Sequence, residues 1–139
     1  MIVNFKKLHP EAKIPTKGTE HSAGFDMTCI DMETKGQYIV YKTGIAVEIP
    51  EGYCGLCFPR SSVREKPLIM ANSIGLIDSD YRGEISFSFK RVSLGSNLYE
   101  IGERIGQIVI IPYPKIEFVE VTELSETKRG NKGHGSTGK

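Results

Sequence analysis

Short runs of β-branched and aromatic residues, separated by turn residues, recur along most of this 139-residue chain. Proline and glycine separate several of them, as at Pro50 to Gly52 and at Pro112 to Pro114. Many short strands at close spacing are typical of an all-β sandwich or barrel. No window of helical length carries a 3.6-residue apolar stripe, and at most a short turn follows Ser61. The predicted strands cover residues 38–41, 44–49, 53–58, 68–70, 85–89, 107–113 and 116–121.

The last predicted strand carries apolar side chains on both faces, among them Ile116, Phe118, Val119 and Val121. A strand of this kind is buried on both sides or lies in a subunit contact. The chain length suits one domain, which would bury about two thirds of its extended surface. We expect a β domain over residues 1–124 and a glycine-rich tail over residues 125–139.

The charge balance gives no support for bulk nucleic-acid or membrane binding, because 18 basic residues nearly cancel 17 acidic ones. No apolar run approaches membrane-spanning length, and the first ten residues lack the apolar core of a signal peptide. The expectation is a cytoplasmic protein, or one in the host cytoplasm for a viral source, with no nucleic-acid or membrane partner.

Cysteine usage leaves two interpretations open. Cys54 and Cys57 form a C-G-L-C spacing that resembles half of a redox or zinc site, but there is no second pair. The three cysteines, an odd number, do not suggest a disulfide framework. We expect buried structural cysteines instead.

Residues 72–85 concentrate polar chemistry between two apolar runs. Strand residues lead into Asp78, a polar turn extends to Gly83, and alternating apolar residues follow at 85, 87 and 89. This pattern predicts a hairpin with its charged groups at the tip, where loops held by a rigid sheet often carry catalysis. An ordinary solvated turn is the alternative.

The tail from Ser125 cannot bury a core and, taken alone, is expected to be disordered. Its glycines, hydroxyls and cations also suit a segment that wraps phosphates, since exposed N–H groups can converge on an anion. Residues 133–139 match the start of a P-loop only weakly, because the required Ser or Thr is missing and the chain ends.

Two further segments have anion-binding character. Pro59 to Ser62 ends a strand with a guanidinium and two hydroxyls. Gly102 to Gln107 leads into a strand and presents an amide at its start. A strand-end turn and a surface turn are the ordinary alternatives.

Taken together, the chain resembles the trimeric deoxyuridine triphosphate nucleotidohydrolases, the dUTPases, over nearly its whole length. All five motifs of that family occur in order, and the third is the most specific. They are Ala23 to Met27, Pro59 to Ser62, Asn72 to Ile85, Gly102 to Gln107 and Arg129 to Gly138.

The resemblance implies an all-β jelly-roll or distorted β-barrel subunit with a flexible glycine-rich C-terminal tail. It also implies a homotrimer with shared active sites and Mg²⁺-dependent cleavage of dUTP to dUMP and pyrophosphate, which supplies dUMP for thymidylate synthesis. Asp78 would activate the water that attacks the α-phosphorus, and Asp26 would reach Mg²⁺ through a metal-bound water. The residues implied in phosphate binding are Arg60, Ser61, Ser62, Gln107, Arg129, Gly135, Ser136 and Thr137.

Base and sugar selection would lie on the same predicted hairpin. The resemblance implies that backbone groups read the uracil edge and that the Tyr81 ring packs against deoxyribose. The residues involved would be Asn72, Gly75, Leu76, Ile77, Ser86 and, on the tail, His134. His134 and Lys132 depart from the family pattern, which usually has phenylalanine and glycine there. Imidazole can still stack on the base, with less apolar area.

Other functions fit parts of the pattern. A dCTP deaminase is similar in fold and substrate, but that reaction needs a base acting at the pyrimidine ring. A regulatory protein that uses the nucleotide as a switch is the alternative from another class, and a regulatory protein partner stays open. His134 as the catalytic base is disfavoured, because a side chain on a mobile tail is poorly placed to aim a water.

Overall fold

Ten β-strands and one 3₁₀ turn form the part of the chain that the computed structural model describes, residues 1–133. The 3₁₀ turn, Ser61–Glu65, is the short turn predicted after Ser61. The strands are β1 (Asn4–Lys7), β2 (Phe25–Thr28), β3 (Asp31–Lys35), β4 (Tyr38–Lys42), β5 (Ile45–Glu48), β6 (Tyr53–Pro59), β7 (Leu68–Met70), β8 (Gly75–Ile77), β9 (Ser86–Arg91) and β10 (Arg104–Pro112).

The strands pair antiparallel in three sheets. One four-stranded sheet has the order β2-β10-β6-β8, the other has the order β3-β4-β9-β7, and β1 pairs with β5. The all-β fold class is therefore confirmed, although within residues 1–133 the sheets stay separate and do not close into one barrel. No helix in this range is long and apolar enough to cross a membrane.

The hydrophobic core is rich in residues from the two larger sheets. Alternate residues of β9 supply fully buried rings, as the period-2 pattern at 85, 87 and 89 predicts. Tyr41, Phe89 and Tyr99 pack as a cluster with ring centroids 5.7 to 5.8 Å apart, within the usual range for aromatic pairs. This cluster contributes three of the largest buried side chains of the core.

One sequence prediction about strand pairing is wrong, and a second predicted strand is not formed within the single chain. Residues 72–89 do not form a hairpin, because β8 pairs with β6 whereas β9 pairs with β4 and β7. The turn at 78–83 therefore connects the two larger sheets. Within the described single chain, residues 116–121 form no strand and are exposed, and their subunit contact stays a prediction.

The three cysteines are free and buried, which confirms the structural interpretation. Burial raises the pKa of the Cys57 thiol to about 12 and that of Cys29 to about 11. A protonated thiol in an apolar site is a poor nucleophile and metal ligand. The C-G-L-C spacing is therefore a feature of the core.

Candidate functional site

Asp26 is a buried carboxylate held between two arginines. Its Oδ1 accepts a hydrogen bond from Nε of Arg60 at 2.8 Å, and its Oδ2 accepts one from Nη1 of Arg104 at 2.9 Å. The residue is only 7% exposed. A carboxylate at this depth requires paired charges, so Asp26 fixes both guanidinium groups in place.

Strand register brings these residues together. Gln107 on β10 lies opposite Asp26 on β2 and opposite Phe58 on β6, and its Nε2 donates to the Pro59 carbonyl at 3.2 Å. Gly24 lies against the Gln107 side chain so closely that a Cβ at position 24 would collide with Oε1. The glycine of the first motif therefore makes room for the amide of the fourth.

The cavity that Arg60 and Arg104 line, which we call the arginine pocket, has a volume of about 490 Å³. Ser61 is exposed and lies between two of the lining residues in sequence, whereas the hydroxyl of Ser62 is buried. Burial raises the pKa of the Tyr99 phenol, and the nearby Ser62 hydroxyl and Arg60 offset this only in part. The pocket is lined by Arg60, Ser62, Glu65, Lys66, Asn97, Tyr99, Gly102, Glu103 and Arg104.

Asp78 lies at the end of β8 and begins an exposed turn, residues 78–83, which we call the Asp78 turn. The Tyr81 N–H donates to the Asp78 carbonyl at 3.1 Å. Arg82 donates to the carbonyls of Ser79 and Tyr81 at 2.6 and 3.0 Å, and it pairs with Glu48 at 3.5 Å. The turn borders an open cleft of about 620 Å³ together with Ile49, Glu51 and Tyr113.

The Tyr81 ring lies on the surface of this turn, where the residue is 45% exposed. Its hydroxyl donates to the Glu84 carbonyl at 3.2 Å. A Cβ at Gly83 would overlap the ring, so the glycine lets the ring fold back over the chain. The orientation of the ring is thus set by its own turn, and a large part of the residue stays exposed.

The residues that precede Asp78 form an edge strand. β8 is the last strand of its sheet within the described residues, so the outer side of Gly75, Leu76 and Ile77 keeps backbone groups that no strand there pairs. Ser73 has a φ of +59°, which is uncommon for a residue other than glycine and marks a tight turn beside Asn72. Ser86 is exposed at the start of β9.

The arginine pocket and the Asp78 turn lie at opposite ends of β6. Gly55 pairs with Ile77, so Asp78 lies beside Cys54, six residues from Arg60 along the strand. At about 3.3 Å per residue the two groups are about 20 Å apart within one chain. The structure therefore brings together Asp26, Arg60 and Gln107, but it does not bring Asp78 to them.

Arg129 makes its described contacts within the tail, where its Nε donates to the Lys132 carbonyl at 3.0 Å. Gly130, with a φ of +55°, allows the turn that this bond closes. Four residues with predicted roles lie outside the described residues: His134, Gly135, Ser136 and Thr137. The predicted closing of the tail involves the same positions, so it also stays a prediction.

The side chains of the site suit a metal ion that is bound mainly by substrate phosphates and water. Residues 1–133 contain no group of three or more His, Cys, Asp or Glu side chains that could hold an ion. Mg²⁺ commonly keeps several waters and takes one or two carboxylates plus substrate phosphates. Asp26 fits such a role, since its carboxylate lies between two guanidinium groups of a kind that binds phosphate.

Sequence reasoning missed Arg104 and Lys66. Arg104 lies within the fourth motif. A bulge between Arg104 and Gly106, which the sequence does not reveal, shifts the strand register and places Arg104 beside Asp26. Lys66 gave no signal of its own, because its contacts all come from residues about 30 positions further along the chain.

The chain is similar to known proteins over nearly its whole length. The dUTPase family model matches residues 10–138. The deoxyuridine 5′-triphosphate nucleotidohydrolase of Hydrogenobaculum sp. is 42% identical over 137 residues, which cover 96% of this chain and 95% of that protein. The enzyme of the same name from Escherichia phage T5 is 38% identical over 147 residues and 99% of both chains.

Solved structures show the same fold. The dUTPase of Staphylococcus bacteriophage 80alpha with dUpNHpp superposes with a TM-score of 0.85 at 30% identity, covering 99% of this chain and 98% of that one. A mutant of the dUTPase from phage phi11 of S. aureus, described with a structural Mg(II) ion, gives a TM-score of 0.74 at 28% identity, over 88% and 98%.

The fold and these comparisons define an all-β enzyme of nucleotide metabolism. The chain belongs to the dUTPase family, and it is a hydrolase that acts on dUTP.

Proposed function

We propose that this enzyme cleaves dUTP between its α and β phosphates and releases dUMP and pyrophosphate, thereby removing dUTP and supplying dUMP for thymidylate synthesis. The arginine pocket carries this proposal. Arg60 and Arg104 are fixed by one buried carboxylate, next to the Gln107 amide and the exposed Ser61 hydroxyl. Guanidinium groups held in advance stabilise phosphoryl charge without reorganisation during the reaction.

Asp78 is the proposed general base. It is exposed at the edge of an open cleft, where a water can approach it, and the Arg82 contacts hold its turn. In the reaction the carboxylate removes a proton from water, the water oxygen bonds to the α-phosphorus, and the bond to the bridging oxygen breaks. Pyrophosphate leaves with the electron pair of that bond. Mg²⁺, when bound, neutralises phosphate charge, and Asp26 would hold it through a metal-bound water.

The remaining predicted residues receive supporting roles. Arg60, Ser61 and Gln107 bind phosphate oxygens, while Ser62, whose hydroxyl is buried, contributes from beneath. Arg129, Gly135, Ser136 and Thr137 cover the outer phosphates from the tail, and His134 stacks on the base. Excluding bulk water in this way strengthens each charge contact.

Uracil recognition is assigned to the free edge of β8. Backbone N–H and C=O groups of Gly75, Leu76 and Ile77 have a fixed donor and acceptor order, which a cytosine edge would leave unpaired. Asn72 lies beside Gly75, Ser86 begins β9 in the other four-stranded sheet, and the exposed ring of Tyr81 packs on the deoxyribose. A 2′-hydroxyl would clash there, so UTP is excluded.

One active site needs more than one chain. The separation of about 20 Å between Asp78 and Arg60 exceeds the length over which one α-phosphate can contact both. We propose a homotrimer in which each site combines the arginine pocket of one subunit with the Asp78 turn of another.

The exposed segment at residues 116–124 supports this assembly. Phe118 is 96% and Leu124 is 88% exposed in the single chain. Exposed apolar side chains that are clustered in this way mark a contact surface, and the sequence pattern predicts a subunit contact here. Light scattering should give three times the chain mass for the active protein, and a monomeric mass would overturn this part of the proposal.

Substrate choice tests the whole assignment. Pyrophosphate release should be measured in parallel for dUTP, dCTP, dTTP and UTP with Mg²⁺ present. We expect release from dUTP and little from the other three. Ammonia release from dCTP without pyrophosphate would instead identify a deaminase and overturn the proposal.

A further inference from the structure

Lys66 is a nearly buried cation at the base of the arginine pocket, with its side chain only 10% exposed. Its ammonium donates to the Leu98 carbonyl at 3.0 Å, to Asn97 Oδ1 at 3.2 Å and to both oxygens of Glu103 at 3.4 Å. The three donors of the ammonium thus match three residues. It also lies 4.7 Å from the centroid of the Tyr99 ring, within range of a cation–π contact.

These contacts join the two segments that carry the phosphate-binding groups. Lys66 follows the 3₁₀ turn Ser61–Glu65, which Arg60 precedes, whereas Leu98 and Glu103 belong to the loop that leads into Arg104. Asn97 adds a bond from its amide to the Glu65 carbonyl at 3.1 Å. The separation of the two arginine-bearing segments is therefore fixed on one side by Asp26 and on the other by Lys66.

The charges around the pocket are closely balanced. Arg60, Arg104 and Lys66 supply three positive charges, and Asp26 and Glu103 supply two negative ones. Glu65, which also lines the pocket, is paired with Arg64 at 3.6 Å and leaves this balance unchanged. One net positive charge therefore faces an incoming phosphate. Without Lys66 the same set would be neutral, and the Glu103 carboxylate would stand unneutralised beside the anion.

We propose that Lys66 is a positioning residue that neutralises Glu103 and braces the two arginine-bearing segments, so that the arginine pocket can receive a phosphate. It does not touch the nucleotide itself. The assignment rests on the proposed function insofar as the phosphate belongs to dUTP. The anion-binding part can be measured without catalysis.

Charge removal and charge restoration separate this role from simple support of the fold. Lys66→Met keeps the apolar stem and removes the ammonium. We expect its affinity for inorganic tripolyphosphate, measured by calorimetry, to fall about tenfold, as the loss of one charge near the anion predicts. The KM for dUTP should rise in parallel, while kcat stays within about threefold.

The double variant Lys66→Met with Glu103→Gln restores the charge balance and should regain most of the tripolyphosphate affinity. Lys66→Arg should retain at least part of it. Lys90→Met, which removes an exposed lysine on β9, serves as the matched control and should bind like the unchanged protein. Recovery in the double variant is not expected from a lysine that only supports the fold.

Three results would overturn the proposal: tripolyphosphate affinity of Lys66→Met within twofold of the unchanged protein, no recovery in the double variant, or no binding of tripolyphosphate by the unchanged protein. Should Lys66→Met fail to fold, Glu103→Gln alone must bind tripolyphosphate more tightly, and unchanged or weaker binding rejects the assignment. An unchanged protein that binds tripolyphosphate, responds to these variants and releases no pyrophosphate from dUTP would refute the proposed function and leave this inference standing.

Discussion

The arginine pocket and the Asp78 turn differ in how their functional groups are held. In the pocket, a buried carboxylate and a nearly buried lysine fix the cationic groups through side-chain contacts between distant segments. In the Asp78 turn the contacts are local, and the ion pair between Arg82 and Glu48 is about half exposed on both sides. In the proposed mechanism, each chain would therefore supply a rigid phosphate-binding surface and a base held only by local contacts.

This difference suits the two tasks. Binding a triphosphate needs cations whose positions cost no reorganisation, which burial and pairing provide. A general base needs access to water and to a substrate bound by another subunit, which an exposed turn allows. Substitutions in the two regions should therefore separate into effects on binding and effects on turnover.

The largest effect is expected at Asp78. Asp78→Asn keeps the shape of the side chain and removes the base, so kcat should fall by about 10² to 10⁴ while nucleotide still binds. Steady-state kinetics and calorimetry with dUTP measure both quantities. Glu51→Gln, in the same cleft, is the matched control and should change kcat little. Unchanged turnover in Asp78→Asn would show that the general base does not lie in this turn.

Deleting the residues after Glu126 should have the next largest effect. The β fold should survive, because the deleted stretch has no apolar residue to contribute to the core. Turnover should nevertheless drop by about 10² or more, since a phosphate clamp and water exclusion act most strongly in the closed state. Circular dichroism tests whether the fold survives, and kinetics test the loss of turnover. Full turnover would show that the tail does not cover the phosphates.

A companion substitution examines the departure at His134. His134→Phe should preserve or improve activity through base stacking, and His134→Ala should reduce it. The opposite order would reject stacking at this position.

Asp26→Asn should produce a smaller effect of another kind. The amide cannot neutralise two guanidinium groups, so the KM for dUTP should rise by about tenfold or more, with a loss of about 2 kcal/mol in the free energy of unfolding. Urea denaturation measures the second quantity. A change in kcat alone would contradict the view that this residue orders the binding surface.

The smallest effect is expected at Arg82. Arg82→Ala removes two bonds to the backbone of the Asp78 turn, so kcat should fall a few fold while the KM stays constant. Stability should change by less than about 1 kcal/mol, because the pair with Glu48 is exposed. Arg82→Lys should not restore kcat fully, since one ammonium does not reproduce the planar fork.

Much of the fold could be predicted because alternation and turn residues act locally. β4, β5, β6, β7, β9 and β10 fall where apolar runs indicated strands. β1, β2 and β3 were missed, because exposed or mixed residues such as those of β3 leave no alternating pattern. Pairing partners were beyond the sequence pattern. The turn after Asp78 looked like a hairpin, but its flanking strands find partners elsewhere.

The candidate site likewise has features that the sequence predicts and features that it does not. Residue types and motif order identified Asp26, Arg60 and Gln107, and strand register then showed that the three meet. The ion pairs around Asp26, the role of Arg104 and the Lys66 contacts depend on chain segments far apart in sequence. No spacing rule within one segment could have predicted them.

The position of Asp78 and Arg60 at opposite ends of β6 has a genetic consequence. When each site takes its base from one chain and its arginines from another, a chain lacking the base and a chain lacking Arg60 can complement each other. Trimers mixed from two separately inactive variants would then contain some intact sites, and activity would return in a cell that expresses both. The same proposed arrangement would make a defective chain partly dominant, since it would enter sites that a normal chain would otherwise complete.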